Sequence, residues 1–118
     1  MSAPVKRNHR IYQGATFRDV VTWKVGTPAQ PVDLTGCMAR MHIRAKVDSP
    51  SFLLALTTEN GGLTLGGTAG TIAMHLTATQ TAAITWASGV YDLEILFPNG
   101  DVRRLFYGSV VVSPEVTR

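Results

Sequence analysis

The chain has 118 residues, 45% of them apolar and only 16% charged, with a formal net charge of +3. That length supports one hydrophobic core and excludes a second domain, the lone cysteine Cys37 excludes an internal disulfide and a cysteine-rich metal site, and no apolar run reaches the roughly 18 residues of a membrane span. No apolar leader follows Met1, so synthesis in a cytoplasm is expected, and a surface rich in Thr, Ala and Gly can enter flat protein contacts at modest desolvation cost.

Residues 1–10 combine Pro4 with Lys6, Arg7, His9 and Arg10 and carry little hydrophobic periodicity, which predicts an N-terminal arm dispensable for folding and ordered against a partner. Residues 11–114 are expected to form the folded domain and 115–118 a short tail. Phe17, Val21, Trp23 and Val25 alternate with Arg18, Thr22 and Lys24 in a first long strand. Asp19 is the exception on its apolar face, marking a bulge, an edge or a satisfied polar contact. After the Pro-rich turn of Gly26 to Pro31 and the short segment Val32 to Gly36, a second long strand puts Cys37, Ala39, Met41, Ile43 and Ala45 on one face and Met38, Arg40, His42 and Arg44 on the other.

Phe52 to Thr57 reads as a third strand, Leu63 to Leu65 as a short one between glycine pairs, and Ile72, Met74 and Leu76 as the inner face of another. Thr77 and Gln80 have the spacing of a capping box, predicting one short helix over 77–84. Tyr91, Leu93, Ile95 and Phe97 then alternate into Asn99-Gly100, whose capacity for positive φ predicts a tight hairpin turn, with a return strand from Val102 to Val112 stopped by Pro114. Seven or so short strands with close turn signals predict an all-β protein, an immunoglobulin-like antiparallel β-sandwich with that one helix.

Chemistry-bearing constellations are sparse. His9, His42 and His75 have no metal-ligand spacing, no Gly-x-Ser-x-Gly elbow occurs, and the paired glycines Gly61-Gly62 and Gly66-Gly67 lack the Lys-Ser/Thr and long helix of a phosphate loop. Asp92 and Glu94 stand about 7 Å apart on one strand face, a separation a glycosidase can use but equally that of a solvated face opposite basic residues. No enzymatic activity and no cofactor are expected. Arg40, His42 and Arg44 form a basic stripe which, with Lys6, Arg7 and Arg10, is the candidate partner-binding set. Without interleaved aromatics its expected partner is protein and not nucleic acid.

The order of several segments carries a resemblance. Tyr12-Gln13-Gly14-Ala15-Thr16-Phe17, Val32-Asp33-Leu34-Thr35-Gly36, Leu56-Thr57-Thr58-Glu59-Asn60-Gly61-Gly62, Leu76 to Ile84, Gly89 to Glu94 and Gly108 to Arg118 follow one another in a way that is similar to small virion proteins of tailed bacteriophages, relatives of the immunoglobulin-like N-terminal module of phage baseplate upper proteins. The resemblance implies a non-enzymatic structural protein located in the virion, an adaptor or accessory subunit of tail, collar or baseplate that links larger components or fibres and is homo-oligomeric in the assembly. A capsid decoration (cement) protein is the alternative on the same fold. A host-surface carbohydrate-binding module would instead need exposed rings among Tyr12, Tyr91, Tyr107, Trp23 and Trp86.

Overall fold

The computed structural model describes residues 4–117. In chain order the elements are β1 (Val5–Lys6), β2 (His9–Tyr12), β3 (Phe17–Thr22), β4 (Lys24–Val25), β5 (Gln30–Pro31), β6 (Met38–Arg44), β7 (Leu54–Thr57), β8 (Leu63–Leu65), β9 (Thr71–Leu76), α1 (Ala78–Ala82), β10 (Ser88–Leu96) and β11 (Val102–Ser113). One sheet has the order β1-β11-β10-β6-β7 with β2 also on β11, the other the order β3-β9-β8, and β4 and β5 make a separate hairpin. Period-two alternation sends Ala39, Met41 and Ile43, then Leu93 and Ile95, toward Ile72, Met74 and Leu76 of the opposite sheet, and this is the core.

The N-terminal segment is not an arm. Val5 and Lys6 pair in parallel with Phe106 and Tyr107, and His9 to Tyr12 pair in parallel with Val110 to Ser113. The offset of 101 positions is the same in both stretches, so β1 and β2 are one strand interrupted at Arg7-Asn8. Even there the backbone stays bonded: Arg7 N–H donates to the Tyr107 carbonyl at 2.8 Å, and Asn8 Oδ1 accepts the Ser109 N–H at 3.0 Å. Alternation then decides which side chains face in. Arg7, His9 and Ile11 point toward the second sheet, and Lys6, Asn8, Arg10 and Tyr12 point outward. Met1 to Ala3 of the expected arm, and Arg118 of the expected tail, lie outside the described residues. Glu115 of that tail is held by a hydrogen bond from its amide to Gln13 Oε1 at 2.9 Å.

Asp19 explains itself through the same segment. Its carboxylate accepts from Arg7 Nε at 2.9 Å and Nη2 at 2.8 Å, a bidentate pair, and stands 3.6 Å from His9 Nδ1. Two of the three readings therefore hold, since β3 is an edge strand and Asp19 makes a satisfied polar contact, one that ties the two sheets together. Tyr91 donates its hydroxyl hydrogen to the Arg7 carbonyl, and the buried His9 ring lies edge-on to Phe17 with 5.7 Å between centroids.

Three boundaries move from their expected places. The strand from Phe17 breaks at Trp23, whose N–H donates to Gly70 while its carbonyl accepts from Val32, so that Lys24 and Val25 pair with β5 and Val25 is exposed. The strand expected from Phe52 begins at Leu54, because Phe52 turns back to lay its ring on His42, 5.0 Å away. The Asn99-Gly100 turn is a three-residue loop: Phe97 N–H donates to Asp101 O and Gly100 N–H to Phe97 O, and of the three loop residues only Gly100 has positive φ, at 96°. Pro98 is the reason. A two-residue turn would place it at a paired strand end, whereas the first turn position suits its fixed φ. The capping box forms as expected, with Thr77 Oγ1 accepting from Gln80 N–H and Gln80 Oε1 from Thr77 N–H.

Leu105 is an extra residue in β11. The register passes from Leu93 opposite Phe106 to Glu94 opposite Arg104. This bulge switches parity, so Leu105 and Val110 both face the core although five residues apart.

Two predictions follow from the seating of the first strand. A Cβ at Gly108 would stand 2.6 Å from the Arg7 carbonyl oxygen and 2.7 Å from Asn8 Oδ1, so Gly108→Ala should lower stability by about 1–3 kcal/mol, read from urea unfolding. His9 is held below its ordinary pKa of 6.5, chiefly by burial, with Asp19 opposing and Arg7 adding to the depression. The unfolded chain therefore binds the proton first, and stability is full above pH 6.5 and falls on acidification below it. His9→Gln should flatten the loss of unfolding midpoint between about pH 7 and about pH 5.

Candidate partner-docking face

The outer face of the large sheet is concave around β10, forming an open groove of about 470 Å³. Strand register builds it in rows. Lys6, Tyr107, Asp92 and His42 lie side by side across β1, β11, β10 and β6, and Ser109, Val90 and Arg44 form the next row. Val90 and Asp92 make the floor. Asn8, bridging the interruption of the first strand, closes one wall, and Val47 of the 45–53 loop closes the other.

That loop is held in place by the basic strand. Arg44 Nη1 donates to the Ser49 carbonyl at 3.1 Å and its Nη2 lies 3.4 Å from His42 Nδ1, while Phe52 stacks on the His42 ring. Lys6, Arg44 and Arg104 bring three cations to the groove against the single carboxylate of Asp92, which Arg104 Nε approaches at 3.5 Å. The groove can receive an acidic segment with some apolar contact from Val47, Val90 and Tyr107.

The six residues singled out in the sequence do not form one patch. Lys6, His42 and Arg44 meet in the groove. Arg10 projects from the same outer face beside Val111, beyond the groove. Arg40 is ion-paired, Nε to Glu94 Oε1 at 3.0 Å, on the far side of the Asp92 row. Arg7 turns inward to Asp19 and serves the fold. The Asp92 and Glu94 carboxylates each face an arginine, the arrangement of a solvated sheet face. Among the described residues no group of three or more His, Cys, Asp or Glu is placed to hold a metal ion. The Cys37 thiol is pushed above its ordinary pKa by desolvation and by Asp33, which disfavours the thiolate.

Arg104, Asn8 and Ser109 escaped sequence reading, and Tyr107 was singled out only as a ring for sugar stacking. Simple alternation from Leu105 puts Tyr107 inside, and only the parity conflict between Leu105 and the pair Val110 and Val112 signals the bulge that turns it outward. Of the rings a sugar platform would need, Tyr91 is buried and Trp23 and Trp86 are half-buried, leaving Tyr12 and Tyr107 exposed on separate parts of the surface.

No protein-family model and no curated protein matches this chain. Among solved structures it is similar to a chicken TCR crystal structure, at 11% identity and a TM-score of 0.56 over 96% of this chain. This chain spans 57% of the length of that one. With two packed sheets and one short helix, the likeness makes the fold an all-β, immunoglobulin-like sandwich.

Proposed function

We propose that the chain is a non-enzymatic structural protein of a bacteriophage virion, an adaptor or accessory subunit in the tail, collar or baseplate that docks an acidic segment of a neighbouring virion protein. The observation that carries the docking mode is the groove, where Lys6, Arg44 and Arg104 converge on a concave sheet face with one carboxylate among them. Supporting the setting is the order of turn and core segments that resembles small tailed-phage virion proteins. Each such contact is weak alone, because exposed charge pairs contribute about 1 kcal/mol or less. Repetition around a symmetric assembly raises the effective concentration of the rest and makes the sum firm.

Quantitative mass spectrometry of purified particles, split into head and tail fractions, tests the setting. Enrichment with tails at a copy number that is a multiple of three or six is expected. Copies in the hundreds with heads would make it a decoration protein, and absence from both fractions would overturn the virion reading. Within that experiment, the double variant Lys6→Glu and Arg44→Glu should lower incorporation at least about tenfold while circular dichroism of the purified variant still reports a folded sandwich. Undiminished incorporation would place docking elsewhere.

A further inference from the structure

The edge strands β7 and β3 differ in how their outward backbone groups are treated. On β7, the outward-facing backbone groups are covered by a side chain of the same molecule: Asn60 Nδ2 donates to the Ala55 carbonyl at 3.0 Å and Asn60 Oδ1 accepts the Thr57 N–H at 2.9 Å. On the other flank of the large sheet, β1 and β2 pair with β11 and form the edge themselves. Strand β3, at the edge of the second sheet, has no such cover among the described residues. Trp23 N–H donates to Gly70 O, which fixes the phase of the β3–β9 ladder: Phe17, Asp19 and Val21 are in the hydrogen-bonded pairs, so the N–H and C=O groups of Arg18, Val20 and Thr22 face outward. The edge continues past β3. Trp23 N–H and C=O point to one side, toward Gly70 and Val32, which puts β5 on the β9 side of the strand and leaves the opposite side open through Lys24.

We infer that this edge is a self-association surface, on which β3 of a second copy adds in antiparallel orientation with Val20 of the two copies directly opposed. The edge is complementary to itself, which favours a second copy as the occupant, and charge repulsion selects the register. With the two-fold axis at Val20, Arg18 faces Thr22 of the second copy at either end, and the two valines, each 61% exposed in the single chain, cover one another. Moving the axis one residue toward the N-terminus opposes Asp19 to its own copy, moving it one residue the other way sets Arg18 against Lys24, and the two-residue moves oppose Arg18 to its own copy or set Val20 against Lys24. The outer face of this sheet, with Thr64, Thr71 and Ala73 beside Val20 and Thr22, continues across the junction without opposed like charges near the axis. An isologous contact of this kind closes on itself and stops at a dimer.

This inference goes beyond the virion reading and concerns the full chain in solution. Analytical ultracentrifugation across micromolar to millimolar concentrations should show a monomer–dimer equilibrium that Val20→Lys weakens at least about tenfold by opposing like charges, with the thermal midpoint of the monomer kept. The register has its own test. Opposed residues of a hydrogen-bonded antiparallel pair have Cα atoms about 5.5 Å apart, inside disulfide reach, whereas the two Arg18 positions lie about 14 Å apart by strand rise. In a Cys37→Ser background, Val20→Cys should therefore give a covalent dimer on mild oxidation and Arg18→Cys should not. A chain that stays monomeric at the highest concentration, a dimer indifferent to Val20→Lys, or cross-linking that favours Arg18→Cys would each overturn the proposal.

Discussion

The structure depends on where its first strand goes. Residues 5–12 join β11 in parallel and hold one register through an interruption at Arg7-Asn8. Gly108 permits it, since no other residue would let the Arg7 carbonyl come so close. Joining the large sheet moves its edge outward from β11 and carries Lys6 and Asn8 to the groove wall. It also sends Arg7 and His9 between the sheets, and because the segment does not cover β3, the second sheet keeps a bare edge.

Charge is divided accordingly. Ion-paired arginines and carboxylates occupy the outer face of the large sheet, with the unbalanced cations of the groove among them, while the outer face of the small sheet is mostly threonine and alanine. Between the sheets, the Asp19 carboxylate is tolerated because two charge-assisted bonds from Arg7 satisfy it at 2.8 and 2.9 Å. His9 is the less completely satisfied member of this cluster. Its Nε2 is buried with no acceptor among the described residues, so protonation would place a second N–H where nothing receives it.

Much of this was legible in the residues. Alternation assigned the inner faces of β6, β9 and β10, and the Thr77 to Gln80 spacing located the helix start. What the sequence concealed depends on non-local pairing. Arg7 and Arg10 look alike as neighbours in a basic run, and only the parallel partner β11 settles that one faces Asp19 and the other the outer surface. Pro98 was a visible signal that the hairpin loop has three residues, since it is unsuited to a paired position. The groove was half legible: His42 and Arg44 follow from alternation, whereas Tyr107 depends on the bulge at Leu105, which appears in the sequence only as a parity conflict within one strand. The bare edge of β3 was signalled only by Asp19, for which an edge was one of three readings, because an edge is defined by which strands are absent beside it.

Amide hydrogen exchange, read residue by residue, tests the seating of the first strand most directly. The Arg7 N–H, bonded to Tyr107 O at 2.8 Å, and the Gln13 N–H, bonded to Ser113 O at 3.0 Å, report on the middle and the C-terminal end of that strand. Protection of both approaching that of the central β10 amides is expected if the strand is an integral part of the sheet. Exchange of both at the rate of an unstructured peptide, with β10 still protected, would show that the segment is an arm after all and that neither the groove wall nor the inward placement of Arg7 and His9 holds.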